Sequence, residues 1–306
     1  MSLEQLTDDL NALADTLAEP DAVRSDNPPA TLFHYTGPQA LLGMLGTRRL
    51  WASDALHMND TQELKFGLDA LGDVIDELVS SGAKESSAGI FLLQESKKHL
   101  RPKPCETFIA CFSQKPDVLS QWRAYASDGL GYAIGFSVAG LKKIPAPAGW
   151  RGVGPRLVQV NYKPKAHRAA LKEVVTPIFE RVEAFWATNP GDQAKSAALT
   201  HGASLLRHVL GPLLTQLKNP GFEEEAEWRL VLDWRDGPMF KPTSAAFRAS
   251  RFGLTPYVEL PFRREDVAEI VHGPRHDPLC MLVTEVALAK YDIFCETLSR
   301  SLSSYR

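Results

Sequence analysis

Leucines at positions 3, 6, 10, 13 and 17 lie alternately three and four residues apart, so the chain opens with a helix that gathers them into one seam. Ser2 as cap and Gln5 three residues later form a capping box, and Pro20 stops the helix. A seam this short does not sustain an isolated coiled coil. It is therefore expected to dock on the body of the same chain; the alternative is a homodimer or a partner protein held through residues 3–17. Asp21 to Ala30, with Pro28-Pro29, reads as a linker. The expected division is a helix over 1–20, a linker over 21–30 and one body over 31–306.

Within the body, Thr31 to Tyr35 predicts a strand, followed by a helix with Thr36 as N-cap and Pro38 in its first turn. His34 then lies just ahead of a helix N-terminus, a position that favours an anionic or oxygen-rich ligand. Leu50 to Ala52 predicts a short strand, Met58-Asn59-Asp60 a turn and cap, and Thr61 to about Val79 an amphipathic helix, with a further polar helical stretch up to His99. The nearly continuous apolar run Thr107 to Ser113 predicts a buried central strand. A short helix over Asp117 to Ala126 carries Trp122 and Tyr125, and strands follow over Gly131 to Ser137 and Leu157 to Tyr162. From about 165 to 217 the pattern is helical, broken at Asn189-Pro190-Gly191, as in a helical hairpin inserted between strands. Glu227 to Asp233, Tyr257 to Leu260 and Val267 to His272 predict further strands before a closing helix over Asp277 to Ala289. Clustered strands with helices between and around them predict an α+β fold rather than a regular βαβ array.

Composition narrows the functional classes. A formal charge of -3 and a pI near 6.3 give no footprint for tight non-specific binding to duplex nucleic acid, while leaving recognition of a nucleic-acid end or a single base open. No early apolar run has signal-peptide flanks and no apolar stretch is long enough to span a bilayer, so a cytoplasmic location without membrane contact is expected. Cys105, Cys111, Cys280 and Cys295 form no Cys-x-x-Cys pair and predict free thiols rather than disulfides or zinc ligands. His272 and His276 are separated by Gly273-Pro274, which argues against one helical face presenting both. No metal site is expected. Gly129-Leu130-Gly131 lacks the third glycine of a dinucleotide fingerprint.

Two stretches place ionisable groups against apolar ones: Leu32-Phe33-His34-Tyr35-Thr36 and Glu225-Ala226-Glu227-Trp228-Arg229. Together with Leu50 through Ser53, Asn59-Asp60 and Glu63, Cys111-Phe112-Ser113, Trp122 with Tyr125, Gly131 through Phe136, and Ile270 with Gly273-Pro274, they give the chain after residue 30 a resemblance to the bacterial domain of unknown function 2971. That family in turn resembles the ADP-ribosyltransferases. The resemblance implies a split mixed sheet that binds NAD as substrate, with the helical insertion set into it. It also implies transfer of ADP-ribose to a protein or nucleic-acid acceptor or to water. Carried onto this sequence, His34 bonds a ribose hydroxyl, Tyr35 or Tyr125 stacks on the nicotinamide, Ser113 braces the late glutamate and Glu227 is catalytic.

The residues supply a physical reason for the last assignment. Loss of nicotinamide leaves an oxocarbenium-like ribose, which a carboxylate on the neighbouring hydroxyl stabilises. Glu225, two residues earlier, shares a face with Glu227 if the strand extends that far, and there it orients or deprotonates an acceptor. Thr36 sits beside the ribose contact, and Arg248 and Arg251 are placed to grip pyrophosphate. Each has a structural alternative: His34 as a satisfied strand-end histidine, Glu227 as the ion-pair partner of Arg229 or Arg123, and the aromatics as core. The alternatives for the whole are a non-catalytic module for a nucleotide or nucleic-acid end, and a defence or toxin interaction protein acting through its N-terminal helix.

Overall fold

A computed structural model describes residues 2–17, 23, 27–58, 62–82, 104–150, 152–234, 245–250 and 253–305. It divides into two compact units. The first takes Met1–Arg24, Met58–Glu106 and Val160–Pro220, and the second Ser25–His57, Thr107–Gln159 and Gly221–Arg306.

The first unit is helical: α1 (Leu3–Leu17), α3 (Gln62–Gly82), α6 (Pro164–Thr188) and α7 (Asp192–Leu214). The Ser2–Gln5 capping box forms in both directions, Ser2 N donating to Gln5 Oε1 at 2.7 Å and Gln5 N to Ser2 Oγ at 3.1 Å. Leu6, Leu10 and Leu17 are buried with Val174, Ile178, Leu206 and Leu210 of α6 and α7. The seam thus docks on its own chain, the first of the two readings; for the alternative, a homodimer or partner held through residues 3–17, most of the apolar surface is already removed from water. Asn189-Pro190-Gly191 separates α6 from α7 where the sequence broke. Half of the stretch read as a linker lies outside the described residues, as do Asn59, Asp60 and the polar stretch toward His99; Val23 is buried in the helical core.

The second unit holds the ten strands among the described residues: β1 (Thr31–Thr36), β2 (Arg49–Asp54), β3 (Thr107–Ser113), β4 (Tyr132–Ser137), β5 (Gly152–Gln159), β6 (Glu227–Trp234), β7 (Ala246–Ser250), β8 (Gly253–Pro261), β9 (Val267–His272) and β10 (Thr297–Arg300). Around them run α2 (Pro38–Thr47), α4 (Leu119–Tyr125), the single turn α5 (Val138–Leu141) and α8 (Leu279–Lys290). The sheet order is β10-β9-β4-β1-β3-β2-β8-β7, with β6 on β3 and β5 on β6. Of the named strands, only β9 and β10, joined through α8, pair in parallel; the other strand pairings among the described residues are antiparallel, so the sheet is mixed and the class α+β.

β3 pairs β6 along its whole length, from Thr107↔Asp233 to Ser113↔Glu227. A strand has two edges, so β1 and β2 share the other one. β1 meets it at Phe33↔Ser113 and β2 at Ser53↔Ile109 and Asp54↔Phe108. Between these points the sheet forks. Register and alternation put Leu32, Ile134, Phe136, Phe108, Phe112, Leu230 and Leu232 on one face, and all are buried.

Three local expectations change. Thr36 remains in the β1–β4 ladder opposite Tyr132, so Gly37 rather than Thr36 occupies the N-cap of α2, with no side-chain cap bond. β5 begins at Gly152, earlier than read, and its register shifts between Val153 and Arg156, where Gly154 and Pro155 sit. It pairs only with β6, and an edge strand with a bulge tolerates proline. β7 and β10, short and polar, were not anticipated.

Candidate functional site

Glu227 opens β6 directly across from Ser113, which stands across from Phe33. Its carboxylate is gripped by Arg229 through two bonds, Nε to Oε1 at 2.7 Å and Nη2 to Oε2 at 2.9 Å. Alternation sends both side chains to one face, and their exposures of 7% and 2% make this a buried charge pair. Such a pair survives only with good geometry, and losing either partner removes a bidentate contact from the other buried charge.

The turn before Glu227 is pinned from β3. Ser113 Oγ donates to the Glu225 carbonyl at 2.7 Å and accepts from Lys115 N at 3.0 Å. Gln114 N donates to the Ala226 carbonyl at 3.0 Å, and Lys115 Nζ to the Glu224 carbonyl at 3.2 Å. Ala226 itself has φ +45°, in the left-handed region that a β-carbon disfavours. Glu225 is buried at the end of the short turn Pro220–Glu225, outside β6, so the strand rule that would align it with Glu227 does not reach it.

The model of a family described as "Protein of unknown function (DUF2971)" matches residues 121–230. The matched stretch carries Trp122, Tyr125, Gly131 through Phe136 and Glu225 through Arg229, and supports the DUF2971 resemblance there; His34 and Ser113 precede it. No curated protein and no solved structure matches the chain.

His34 stands at the fork. Its Nδ1 lies 2.8 Å from the Cys111 carbonyl, which can only accept, so Nδ1 carries the proton and Nε2 is the acceptor. Burial holds the imidazole below its ordinary pKa, against the Cys111 carbonyl, and the charge of Arg248 pushes the same way as burial. Following Phe33, His34 points to the opposite face from Glu227, toward Phe112, with ring centroids 5.7 Å apart. Trp228, paired with Phe112, shares that face, and its buried Nε1–H lacks an acceptor among the described residues. The imidazole and the carboxylate therefore approach the fork from different faces of one ladder.

The remaining expected residues divide clearly. Tyr35 is a strut: its hydroxyl donates to the Lys115 carbonyl at 2.9 Å, accepts from Val118 N at 3.0 Å, and its ring meets Trp122 edge-on at 4.8 Å. Burial raises its pKa, opposed by the Val118 N–H. Thr36 is buried in the β1–β4 ladder. Tyr125 closes α4 and is 38% exposed, the more accessible of the two tyrosines. Arg248 on β7 donates to Ser53 Oγ at 3.0 Å, and Arg251 lies outside the described residues.

Sequence reasoning missed Asp117. Burial works to raise its pKa but is outweighed by donors from Ser301, Trp122, Ser303 and the Leu302 N–H, leaving it lowered. Trp122 Nε1 reaches it at 2.6 Å and Ser301 Oγ at 2.5 Å. Most of its partners come from the far end of the chain, so no local spacing signals the role. Among the described residues no group of three His, Cys, Asp or Glu side chains is arranged to hold a metal ion, and no helix is long and apolar enough to cross a membrane.

Proposed function

We propose that the second unit cleaves the nicotinamide–ribose bond of NAD and passes ADP-ribose to a macromolecular acceptor or to water. The observation that carries this reading is the Ser113 brace: one serine, in register with Glu227, fixes the turn that delivers Glu225 and Glu227. As the C–N bond breaks, its electron pair leaves with nicotinamide and positive charge grows on the ribose. Glu227, drawn off Arg229 by the ribose hydroxyl, stabilises that charge. The acceptor oxygen or nitrogen bonds the ribose carbon and its proton passes to Glu225. Arg248 takes the pyrophosphate and Tyr125 supplies the ring for nicotinamide; His34, on the face that Glu227 does not share, is left out of the ribose contact.

A second reading is a non-catalytic nucleotide-binding module. It is favoured by strand alternation, which sets His34 Nε2 as acceptor and Trp228 Nε1 as donor on a face that Glu227 does not share. Incubation with NAD and cell extract, followed by nicotinamide quantitation, separates the two. The catalytic reading expects release by the native chain and none by Glu227→Gln, which still binds NAD. Binding without release by both proteins supports the module, and release by both refutes Glu227 as the catalyst.

A further inference from the structure

Helix α8 is apolar nearly all round, yet it lies at the surface. Thr284 and Leu288 face inward, Thr284 Oγ1 standing 2.9 Å from His272 Nε2. The outward face carries Leu279, Leu282, Val283 and Val286, exposed by 59% to 71%, and Phe294 just beyond the helix is 73% exposed. Surface helices of a monomer ordinarily show a polar outer face, and an apolar row of this size marks an interaction site.

The same margin holds a second unfinished feature. α8 is the connection between β9 and β10, and β10 ends the sheet with β9 as its only strand partner among the described residues. Among the described residues no strand pairs with its other edge, where backbone donors and acceptors run in a row. One margin thus offers both a sheet edge and a helix stripe.

We propose that this margin is the contact between two copies of the chain, related by a two-fold axis, with β10 meeting β10 and α8 packing on α8. Both features are self-complementary: antiparallel edges pair with themselves, and an apolar stripe covers its own copy. The charges on the helix fit, since an antiparallel crossing can set Glu285 of one copy against Lys290 of the other. The area fits as well. At roughly 100 Å² apiece the five apolar side chains supply more than half of the ~800 Å² per partner in a standard interface. The N-terminal leucines are excluded as the contact because they are buried in the first unit.

Sedimentation velocity on the full chain tests this at about 100 µM, above the micromolar dissociation constants at the weak end for interfaces of this size. The native chain is expected at twice its monomer mass. Val286→Glu, which sets a carboxylate into the stripe of each copy, is expected to weaken association by at least about 100-fold. Its melting temperature extrapolated to low concentration should stay unchanged, because the position is exposed. Glu285→Lys is expected to weaken the dimer and Glu285→Lys with Lys290→Glu to restore it. A native chain that stays monomeric overturns the proposal, as does an oligomer that persists in Val286→Glu.

Discussion

The helical unit and the β3–β6 seam solve the problem of burial in opposite ways. In the first, Leu6, Leu10, Val174, Ile178 and Leu210 make an interior mainly of hydrocarbon, with Lys218 and His167 as its buried polar exceptions, and ion pairs such as Arg181 with Asp9 lie at the surface. In the second, Glu227, Arg229 and Ser113 are buried in the sheet and Glu225 in the turn that leads into it, while the other face is mostly apolar. An interior of hydrocarbon needs only volume and pattern. A buried charge pair costs desolvation that its own bonds barely repay, so its presence calls for a reason beyond stability. That contrast makes the β3–β6 seam the region in which to look for chemistry.

The sharpest way to break the comparison is to remove one charge. Arg229→Met leaves Glu227 buried without its guanidinium and is expected to destabilise by about 3–5 kcal/mol, read by urea unfolding. Glu227→Leu with Arg229→Met should recover most of that stability and none of the NAD cleavage. Full stability loss in the double variant would make the pair a structural clamp. Next, Leu210→Ala in the helical core should cost about 2–5 kcal/mol, with turnover per folded molecule unchanged. Lost turnover there would show that the two regions are coupled.

Acid sharpens the comparison further. His34, His167 and His272 are all lowered from the ordinary value, burial being the largest cause each time. The unfolded chain therefore binds more protons than the folded one, and stability falls as pH drops below the unfolded value of about 6.5. The melting temperature should be lower at pH 5.5 than at pH 7.5, and His34→Gln should remove part of that difference. Asp117, lowered by its donors, adds its loss only once pH falls through the carboxylate range toward its folded value. The smallest effect is expected at the exposed cap, where Ser2→Ala should cost about 0.5–1 kcal/mol, measured by the same unfolding curves.

The sequence was legible where the decisive physics is local. β3 and β9 were bounded by their apolar runs, the capping box by two side chains three residues apart, and the α6–α7 break by Asn189-Pro190-Gly191. β7 and β10 escaped because an edge strand with solvent on several sides shows no apolar alternation, and β5 because Gly154-Pro155 imitates a connection. In the site, the Glu227–Arg229 pair was legible from a two-residue spacing on one strand. The relation of His34 to Glu227 was not. It depends on the registers Phe33↔Ser113 and Ser113↔Glu227, which are set by pairings across the sheet. Thr36 was misjudged as a cap because its strand runs one residue further than its composition suggests.

The central claim, that the carboxylate of Glu227 meets the nicotinamide-bearing ribose, is tested most directly by a crystal structure of Glu227→Gln with NAD. The account predicts the dinucleotide beside the fork between β1 and β3, on the Glu227 face, with a ribose hydroxyl within hydrogen-bonding distance of residue 227. A dinucleotide bound only on the His34 face, with residue 227 still closed on Arg229, would contradict it.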